Sequence, residues 1–559
     1  ILAMIEGRDF NESQVNFSRA GRQPGSAIKP VLDYAPAFEL GLLQPASVID
    51  DAPMYAYDYS QGRYKRFGNF SGRYYGLVTV RKAVEQSYNI PAIKAMQMTA
   101  NRDPNALLNF MQLMKLNQIT SEAIGILPSA IGGGNWNISV EELTAAFAIF
   151  ANEGQYLEPY LIERIESRDG EVIYQHEAEP VQVFSPQTAF LITDMLRDVV
   201  RSGTASRIGA KVGQVDLAGK TGTTSDTYDY WFVGYTPEIS LGLWRGYELN
   251  DSLSTGYSQR HQNLWADLFN TIRQVRPELV ENDARFEQPE GIVRRTVCSK
   301  SGLLPSKLCQ EQGWLVSDYF NAQYVPSKVD DKVINARLIT VDGQRYRAQE
   351  STPDDLVERG VYVLTEKIEY PKGVSASHRP ADWELRAPEK EDPRVENGKV
   401  PNAPNTVHAN RQGNTISLTW SKVNESDLAG YRVYRAGPDG KFAHIASIRL
   451  HEETAFTDRV GEQDHAYYVT AVDLAGQESE PSQIAVSSGG SADQFFNPDP
   501  PDAPSGLEGE SGAPTRLSWQ ASPSDQQVKV YRVYVSNSEN GPFTLLGETT
   551  DTSYTLDKL

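Results

Sequence analysis

The tetrapeptide "YRVY" occurs twice, at Tyr431 and at Tyr531, and each copy follows an apolar alternation ending in tryptophan, "TISLTW" to Trp420 and "TRLSW" to Trp519. A chain that repeats a unit in this way has built the same module twice, so its C-terminal part is an array and not the continuation of one core. Ile416, Leu418 and Trp420 alternate with polar residues, the period of a strand buried on one face. The short, turn-rich spacings between such runs suit an antiparallel sandwich. The remaining chain is long: of 559 residues in all, most lie upstream of the repeat. Single cores stop growing near ~250–300 residues, so several domains are expected.

Residues 1–280 mix helical and strand patterns and read as the large domain. A small β-rich extension, 281–376, holds both cysteines and runs such as "KVINARLITV". The proline-rich, highly charged stretch 377–401 reads as a semi-stiff linker. The modules occupy 402–487 and 501–559, with a second linker at 488–500, and the second copy stops before its last two strands could form. A formal charge of -20 without a basic cluster argues against a nucleic-acid partner. The longest strongly apolar stretch near a helix, residues 145–151, is far short of the ~20 residues that span a bilayer. The opening "ILAMIEGRDF" lacks the features of a signal peptide. The chain is therefore expected to begin in mid-protein, with an anchor or another domain upstream.

Three short motifs carry candidate chemistry. Ser26 and Lys29, in "GRQPGSAIKP", form the only Ser-x-x-Lys in the sequence. On a helix such residues share a face with Cβ atoms about 5–6 Å apart, close enough for an amine to take a hydroxyl proton. Gly25 permits a tight turn ahead of Ser26, and Pro30 lacks the N–H that would bond the Ser26 carbonyl. The helix thus starts here, with Ser26 at its positive end. No pattern ties a histidine to Ser26, the first being His176. That leaves Lys29 as the base, which requires its pKa to be lowered by burial or by a second cation. Taken alone, the pair reads more readily as an ordinary helix start that happens to carry Ser and Lys, since such pairs are common by composition.

In "VEQSYNIPAIKAM" a helical pattern ends near Tyr88, Pro91 can start a new helix, and Ile90 before it is pushed towards extended backbone. Ser87 and Asn89 fall in that connection, where a hydroxyl and an amide can be offered side by side. The same Ser-x-Asn spacing at Ser538 is a turn, so the motif is weak by itself. In "VDLAGKTGTTSDTYDYWFVGYTPEISLGLW" two apolar runs flank "TPEI" as a hairpin, preceded by a strand that carries Lys220, Thr221, Gly222 and Thr223. Gly222 would let a substrate backbone approach, while the flanking hydroxyls and amine offer a carboxylate site. The competing reading is a bulge with a solvated lysine.

In this order the three motifs are the triple signature of penicillin-recognising serine enzymes. The surrounding text, including "SRAGRQPGSAIKP", "GLVTVRKAVEQSYNIPAIKAM", "ISVEELTAAFAIFANEGQYLEPYLI" and "AGKTGTT", resembles the transpeptidase domain of class A penicillin-binding proteins over residues 1 to about 270. The resemblance implies an α/β (α+β) transpeptidase fold, an antiparallel sheet with helices on both faces and the Ser26 helix buried against it. It implies no cofactor. The partners it implies are peptidoglycan stem peptides, a D-Ala-D-Ala donor and an amine acceptor, together with β-lactam antibiotics. Ser26 would attack the carbonyl between two D-alanines, with Lys29 as base. Ser87 would relay a proton to the leaving D-alanine, and Asn89 would hold the substrate amide and orient Lys29. Lys220 would supply positive potential, Thr221 and Thr223 would bind the terminal carboxylate, and the N–H groups of Ser26 and Thr223 would form the oxyanion hole.

Relatives carry a membrane helix and a glycosyltransferase domain upstream, which implies the outer face of the cytoplasmic membrane of a Gram-positive bacterium. The repeated modules resemble fibronectin type III domains, all-β sandwiches, with His465 where that family has a tyrosine. They would take a cell-wall polymer or a protein as ligand. A D,D-carboxypeptidase, a β-lactam sensor without turnover and a wall-binding surface protein are the rival readings, and a β-lactamase is more remote. Cys298 and Cys309 are the only cysteines, and no histidine lies close to them, so no metal site is expected. They are either two buried thiols or, in keeping with an extracellular chain, a disulfide worth roughly 3 kcal/mol in the chain-entropy model.

Overall fold

In the computed structural model, which describes residues 1–556 apart from 8, 10, 12, 60, 254–258, 375–376, 437–439, 493–494, 496–501, 511–514, 523–527, 529, 539–540 and 542, the apolar runs around "TPEI" form a hairpin. Ahead of it in the chain lie helices α1 (Val80–Glu85), α2 (Asn89–Arg102), α3 (Val140–Ala151) and α4 (Pro186–Arg201). Strands β1 (Ala218–Thr223), β2 (Asp229–Tyr235) and β3 (Ser240–Gly246) make an antiparallel sheet with β2 in the centre, and helix α5 (Arg260–Val275) follows. Every residue of β2 is buried, so both faces of the sheet must be covered. The two-residue period shows what covers them. On one face Trp231 donates its indole N–H to the carbonyl of Gln23 at 2.9 Å, and Tyr235 meets Phe147 of α3. On the other, Tyr230 stacks on His261 and Phe232 meets Trp265 edge-on, both residues of α5. Helices therefore lie on both faces.

Local sequence explains the helix starts. Ser139 and Glu142 close a reciprocal capping box on α3, and Ser185 caps α4 with Pro186 as its first residue.

The chain divides into two units, Ile1–Asn335 with Val361–Ala387 and Ala336–Gly360 with Pro388–Leu559. These borders differ from the expected ones for a physical reason. Residues 281–335 join the first unit because Arg81 of α1 is ion-paired with Asp194 and Asp198 of α4 and with Asp318 of the strand Leu315–Asn321, at 2.6, 2.7 and 2.5 Å. In the same region Cys298 and Cys309 form a buried disulfide, with Cα atoms 6.0 Å apart. Residues 336–360 belong to the second unit, where Ile339 and Leu356 pack with Ala429, Val472 and Leu474.

The stretch 377–401 is not the solvated linker its charge suggests. Arg386 is buried against Asp50 and Asp382 in the first unit. In the second, Arg394 pairs with Asp392 and donates to the carbonyl of Leu428. Of the other expected linker, residues 493–494 and 496–500 lie outside the described residues.

The first repeat is a sandwich. One sheet is ordered His408–Gln412, Thr415–Thr419, Ala455–Arg459, and the other Phe442–Arg449, Leu428–Ala436, Ala466–Asp473, Ala485–Val486. Ile416, Leu418, Trp420, Tyr431, Val433 and Val469 share its core. The tryptophan–tyrosine pair of the repeated motif does the same job twice: Trp420 meets Tyr431 edge-on at 5.7 Å, and Trp519 meets Tyr531 at 5.4 Å.

Candidate active site

The Ser26 segment turns with three pitches in succession. Because Pro30 has no N–H to give the Ser26 carbonyl, Lys29 N–H takes that acceptor and Gly25–Ile28 winds as a 3₁₀ turn. Pro30–Tyr34 then follows as a π turn, with Ala35 N–H reaching the Pro30 carbonyl, before Ala35–Glu39 settles into α-helix. The tight first turn puts Ser26 and Lys29 three residues apart on one face. Ser26 is half-buried, whereas Lys29 is fully buried.

Glycine sets how closely β1 approaches this turn. Gly25 has φ +52, and a Cβ there would stand 2.5 Å from the carbonyl oxygen of Thr223. A Cβ on Gly222 would stand 2.3 Å from the Pro24 carbonyl oxygen. No side chain fits at either position, so the Ser26 turn and the Lys220 strand are in backbone contact.

Lys29 reaches from this turn into the bend between α1 and α2. Its ammonium donates to the carbonyls of Ser87 (2.8 Å) and Tyr88 (3.1 Å) and to Asn89 Oδ1 (2.7 Å), with Ser87 Oγ at 3.5 Å. Ser87 itself has φ +58, a strained conformation for a residue with a side chain. That twist presents its hydroxyl to Lys220, whose Nζ donates to Ser87 Oγ at 2.7 Å and to the Thr221 carbonyl at 3.1 Å. Lys29, Ser87, Asn89 and Lys220 thus form one connected cluster from three distant stretches. Thr221 is buried, its hydroxyl 2.7 Å from that of Thr204, while Thr223 is half-buried on the last position of β1.

Burial pulls the Lys29 ammonium down to about 7, against the opposing influence of Asp33 and Asp51. Lys220 is also fully buried, and burial together with the neighbouring Lys29 charge pushes it well below the ordinary lysine range. Asp33 lies one helical turn beyond Lys29, fully buried with neither carboxyl oxygen hydrogen-bonded, and burial pushes its carboxyl well up. A buried amine whose pKa is brought down towards neutrality, beside a hydroxyl, has the properties that a general base requires.

Several contributors are invisible in the motifs. Asn69 accepts the Asn89 N–H at 2.7 Å and donates to Asp51, and the Gly68 carbonyl accepts from Asn89 Nδ2 at 2.8 Å, which together fix the Asn89 amide. Tyr88, between the two motif residues, stacks on Tyr75 at 4.4 Å. No spacing in the sequence connects Asn69 to Asn89 or Tyr75 to Tyr88, so neither contributor could have been sought in advance.

Residues 1–241 match the family model described as "Penicillin binding protein transpeptidase domain", and residues 288–335 match "Penicillin-binding protein 1A, C-terminal domain". The chain is 33% identical over 347 residues to "Penicillin-binding protein 1A/1B" of Bacillus subtilis, covering 59% of this chain and 36% of that protein. It is 38% identical over 257 residues to "Penicillin-binding protein 1F" of the same organism, covering 45% of this chain and 34% of the relative. The chain thus spans about a third of the length of these curated relatives. Among solved structures, penicillin-binding protein 1A from Haemophilus influenzae superposes with a TM-score of 0.50 at 24% identity, covering 58% of this chain and 52% of that one, which is a likeness of fold.

Proposed function

We propose that this chain, whose residues 1–241 match a penicillin-binding protein transpeptidase domain, is part of a class A penicillin-binding protein and cross-links peptidoglycan stem peptides through an acyl-enzyme on Ser26. The observation that carries the reading is the hydrogen-bonded cluster of Lys29, Ser87, Asn89 and Lys220 below the Ser26 turn.

In the first step Ser26 Oγ bonds to the carbonyl carbon between two D-alanines while Lys29 Nζ takes its proton. Lys29 then returns a proton by way of Ser87 Oγ, 3.5 Å away, to the departing amine as the C–N bond breaks. Lys220, already bonded to that hydroxyl, keeps Ser87 oriented and lends positive potential to the terminal carboxylate. Thr221 and Thr223 would hold that carboxylate, Gly222 gives the strand room beside the turn, and the N–H groups of Ser26 and Thr223 would hold the developing oxyanion. An amine on a second stem then takes the acyl group. A β-lactam acylates the same serine but keeps its leaving group tethered, so its adduct persists.

The sandwich repeats fit fibronectin type III-like modules with a wall polymer or protein as ligand. The chain spans only about a third of the length of its curated relatives, which leaves room for a glycosyltransferase and an anchor elsewhere in the native protein, with this chain outside the membrane. Among the described residues no helix is long and apolar enough to cross a membrane.

Mass spectrometry after benzylpenicillin, followed in time, tests the reading. One adduct per chain should appear on the peptide containing Ser26, vanish in Ser26→Ala and persist for minutes to hours. A thioester or stem-peptide mimic should be released faster when a D-amino acid is supplied. Release indifferent to the acceptor would favour a carboxypeptidase, no product at all would favour a sensor, and rapid multiple turnover of penicillin would sink the assignment.

A further inference from the structure

The second unit contains three carboxylates that the chemistry of Ser26 does not use. Glu396 lies in the segment leading to the first sandwich, Asp427 directly precedes the strand Leu428–Ala436, and Asp473 ends the strand Ala466–Asp473. One oxygen from each lies within 4.8 Å of the others. Asp427 and Asp473 are buried at 1% and 0% exposure, and Glu396 is half-buried. Like charges this close, away from water, repel strongly unless something positive stands among them. Among the described residues no lysine or arginine forms an ion pair with any of the three. Arg394, two residues before Glu396, is committed to Asp392 and to the Leu428 carbonyl.

The hydrogen bonds hold the carboxylates in place without satisfying them. Asp427 accepts from the backbone and side-chain amides of Asn397, both at 2.8 Å. Asp473 Oδ1 accepts from the N–H groups of Ala475 and Gln477 at 2.9 and 2.8 Å. Glu396 Oε1 accepts from Gly398 N–H and Gln477 Nε2 at 2.8 and 3.1 Å. Asp473 Oδ2, on a fully buried side chain, has no protein partner. Leaving such an atom unmatched costs about 1–3 kcal/mol, and more for a charged group. Asp473 is thus braced by one oxygen and free at the other, beside two further carboxylates.

We propose that Glu396, Asp427 and Asp473 bind one calcium ion, with Asp473 Oδ2 as a ligand, and that the ion ties the segment before the first sandwich to two of its strand ends. The donor set is all oxygen with three negative charges and includes no histidine or cysteine, the preference of a hard divalent cation. Its half-open side at Glu396 leaves room for the waters that complete a six- to eight-oxygen shell, which calcium tolerates better than magnesium does. The expectation of no metal rested on cysteine and histidine spacing; these carboxylates come from three separate stretches that only the fold brings together.

Titrating the EDTA-treated full chain with calcium chloride in a calorimeter decides the matter. One ion should bind with Kd on the order of 10⁻⁴–10⁻³ M, as in extracellular calcium modules, and the unfolding temperature should rise with calcium concentration. Glu396→Gln alters only a half-buried side chain and should weaken binding at least ~10-fold with the circular dichroism spectrum and the penicillin labelling of Ser26 unchanged. Asp473→Asn should abolish binding; if that variant does not fold, Glu396→Gln alone carries the test. No heat and no thermal shift up to about 5 mM calcium would overturn the proposal. So would binding that both folded variants retain, or a stability gain on acidification with none from calcium, which would mean a shared proton.

Discussion

Lys29 is asked to be a base while surrounded by acceptors that favour its protonated form. Four oxygens from Ser87, Tyr88 and Asn89 lie within 3.5 Å of its Nζ, yet full burial outweighs them and brings the ammonium down to about 7. Below that value the nitrogen has no lone pair to offer Ser26; above it the free amine dominates. The second-order rate constant for penicillin acylation should therefore rise with pH through about 7 and level off above it. Stopped-flow acylation across the neutral range measures this, and a flat profile would remove Lys29 as the base. Asp33 sharpens the point. Its carboxyl is buried without a single hydrogen bond and is pushed well up, and what charge it carries favours the Lys29 proton. Asp33→Asn, close in shape and uncharged, should therefore move the acylation midpoint down. A midpoint that stays where it is would mean that Asp33 has no hold on the Lys29 proton.

The Ser26 turn and β1 meet backbone to backbone at Gly25, and this closeness is what Gly25 secures. Gly25→Ala forces a Cβ into φ +52 and to within 2.5 Å of the Thr223 carbonyl oxygen. The backbone conformation alone costs about 1–2 kcal/mol. Relief of the clash must separate Ser26 from the strand that carries Lys220 and Thr223. A displacement of about 1 Å in a reacting constellation lowers rates roughly 100-fold, so the variant should fold and still lose about that factor in acylation, read by penicillin labelling over time. Unchanged labelling would mean that the strand adapts and that its closeness does not matter. The Ser26–Lys29 face was legible in the sequence because three-residue spacing and the proline after Lys29 are local facts. The hairpin was legible from its apolar runs for the same reason. The partners that fix these groups were not: Asn69 meets Asn89, and Thr204 meets Thr221, only through the tertiary fold. The left-handed backbone at Ser87 was likewise hidden, since a serine is not a residue that signals a positive φ.

Domain borders were the least legible feature, because composition was taken as a guide to solvation. The charges in 377–401 look like those of a linker, but Arg386 is buried against the distant Asp50 and Asp392 is buried beside Arg394, and no local pattern reveals that burial. The same blindness applies to Arg81, which binds three distant segments of the first unit into one structure. Its guanidinium reaches Asp194, Asp198 and Asp318 at 2.5 to 2.7 Å, and those carboxylates hold its pKa above the usual arginine value. Removing the cation leaves Asp194 and Asp318 buried at 7% and 5% exposure, with Arg197 the remaining ion-pair partner of Asp194. Stranding buried carboxylates in this way costs about 3–5 kcal/mol, and the partial exposure of Arg81 argues for the lower end. Arg81→Ala should thus lower the unfolding temperature by several degrees. Lysine offers one point charge where three carboxylates require a planar fork, so Arg81→Lys should recover less than half of the loss. Because none of these residues lies in the Ser26 cluster, both variants should be acylated by penicillin at 20 °C within about threefold of the parent rate, as expected for a change confined to stability. Calorimetry alongside the labelling assay separates the two effects: an unshifted transition would show the network to be solvent-screened, and a large loss of labelling in a folded variant would tie Arg81 to the active site instead.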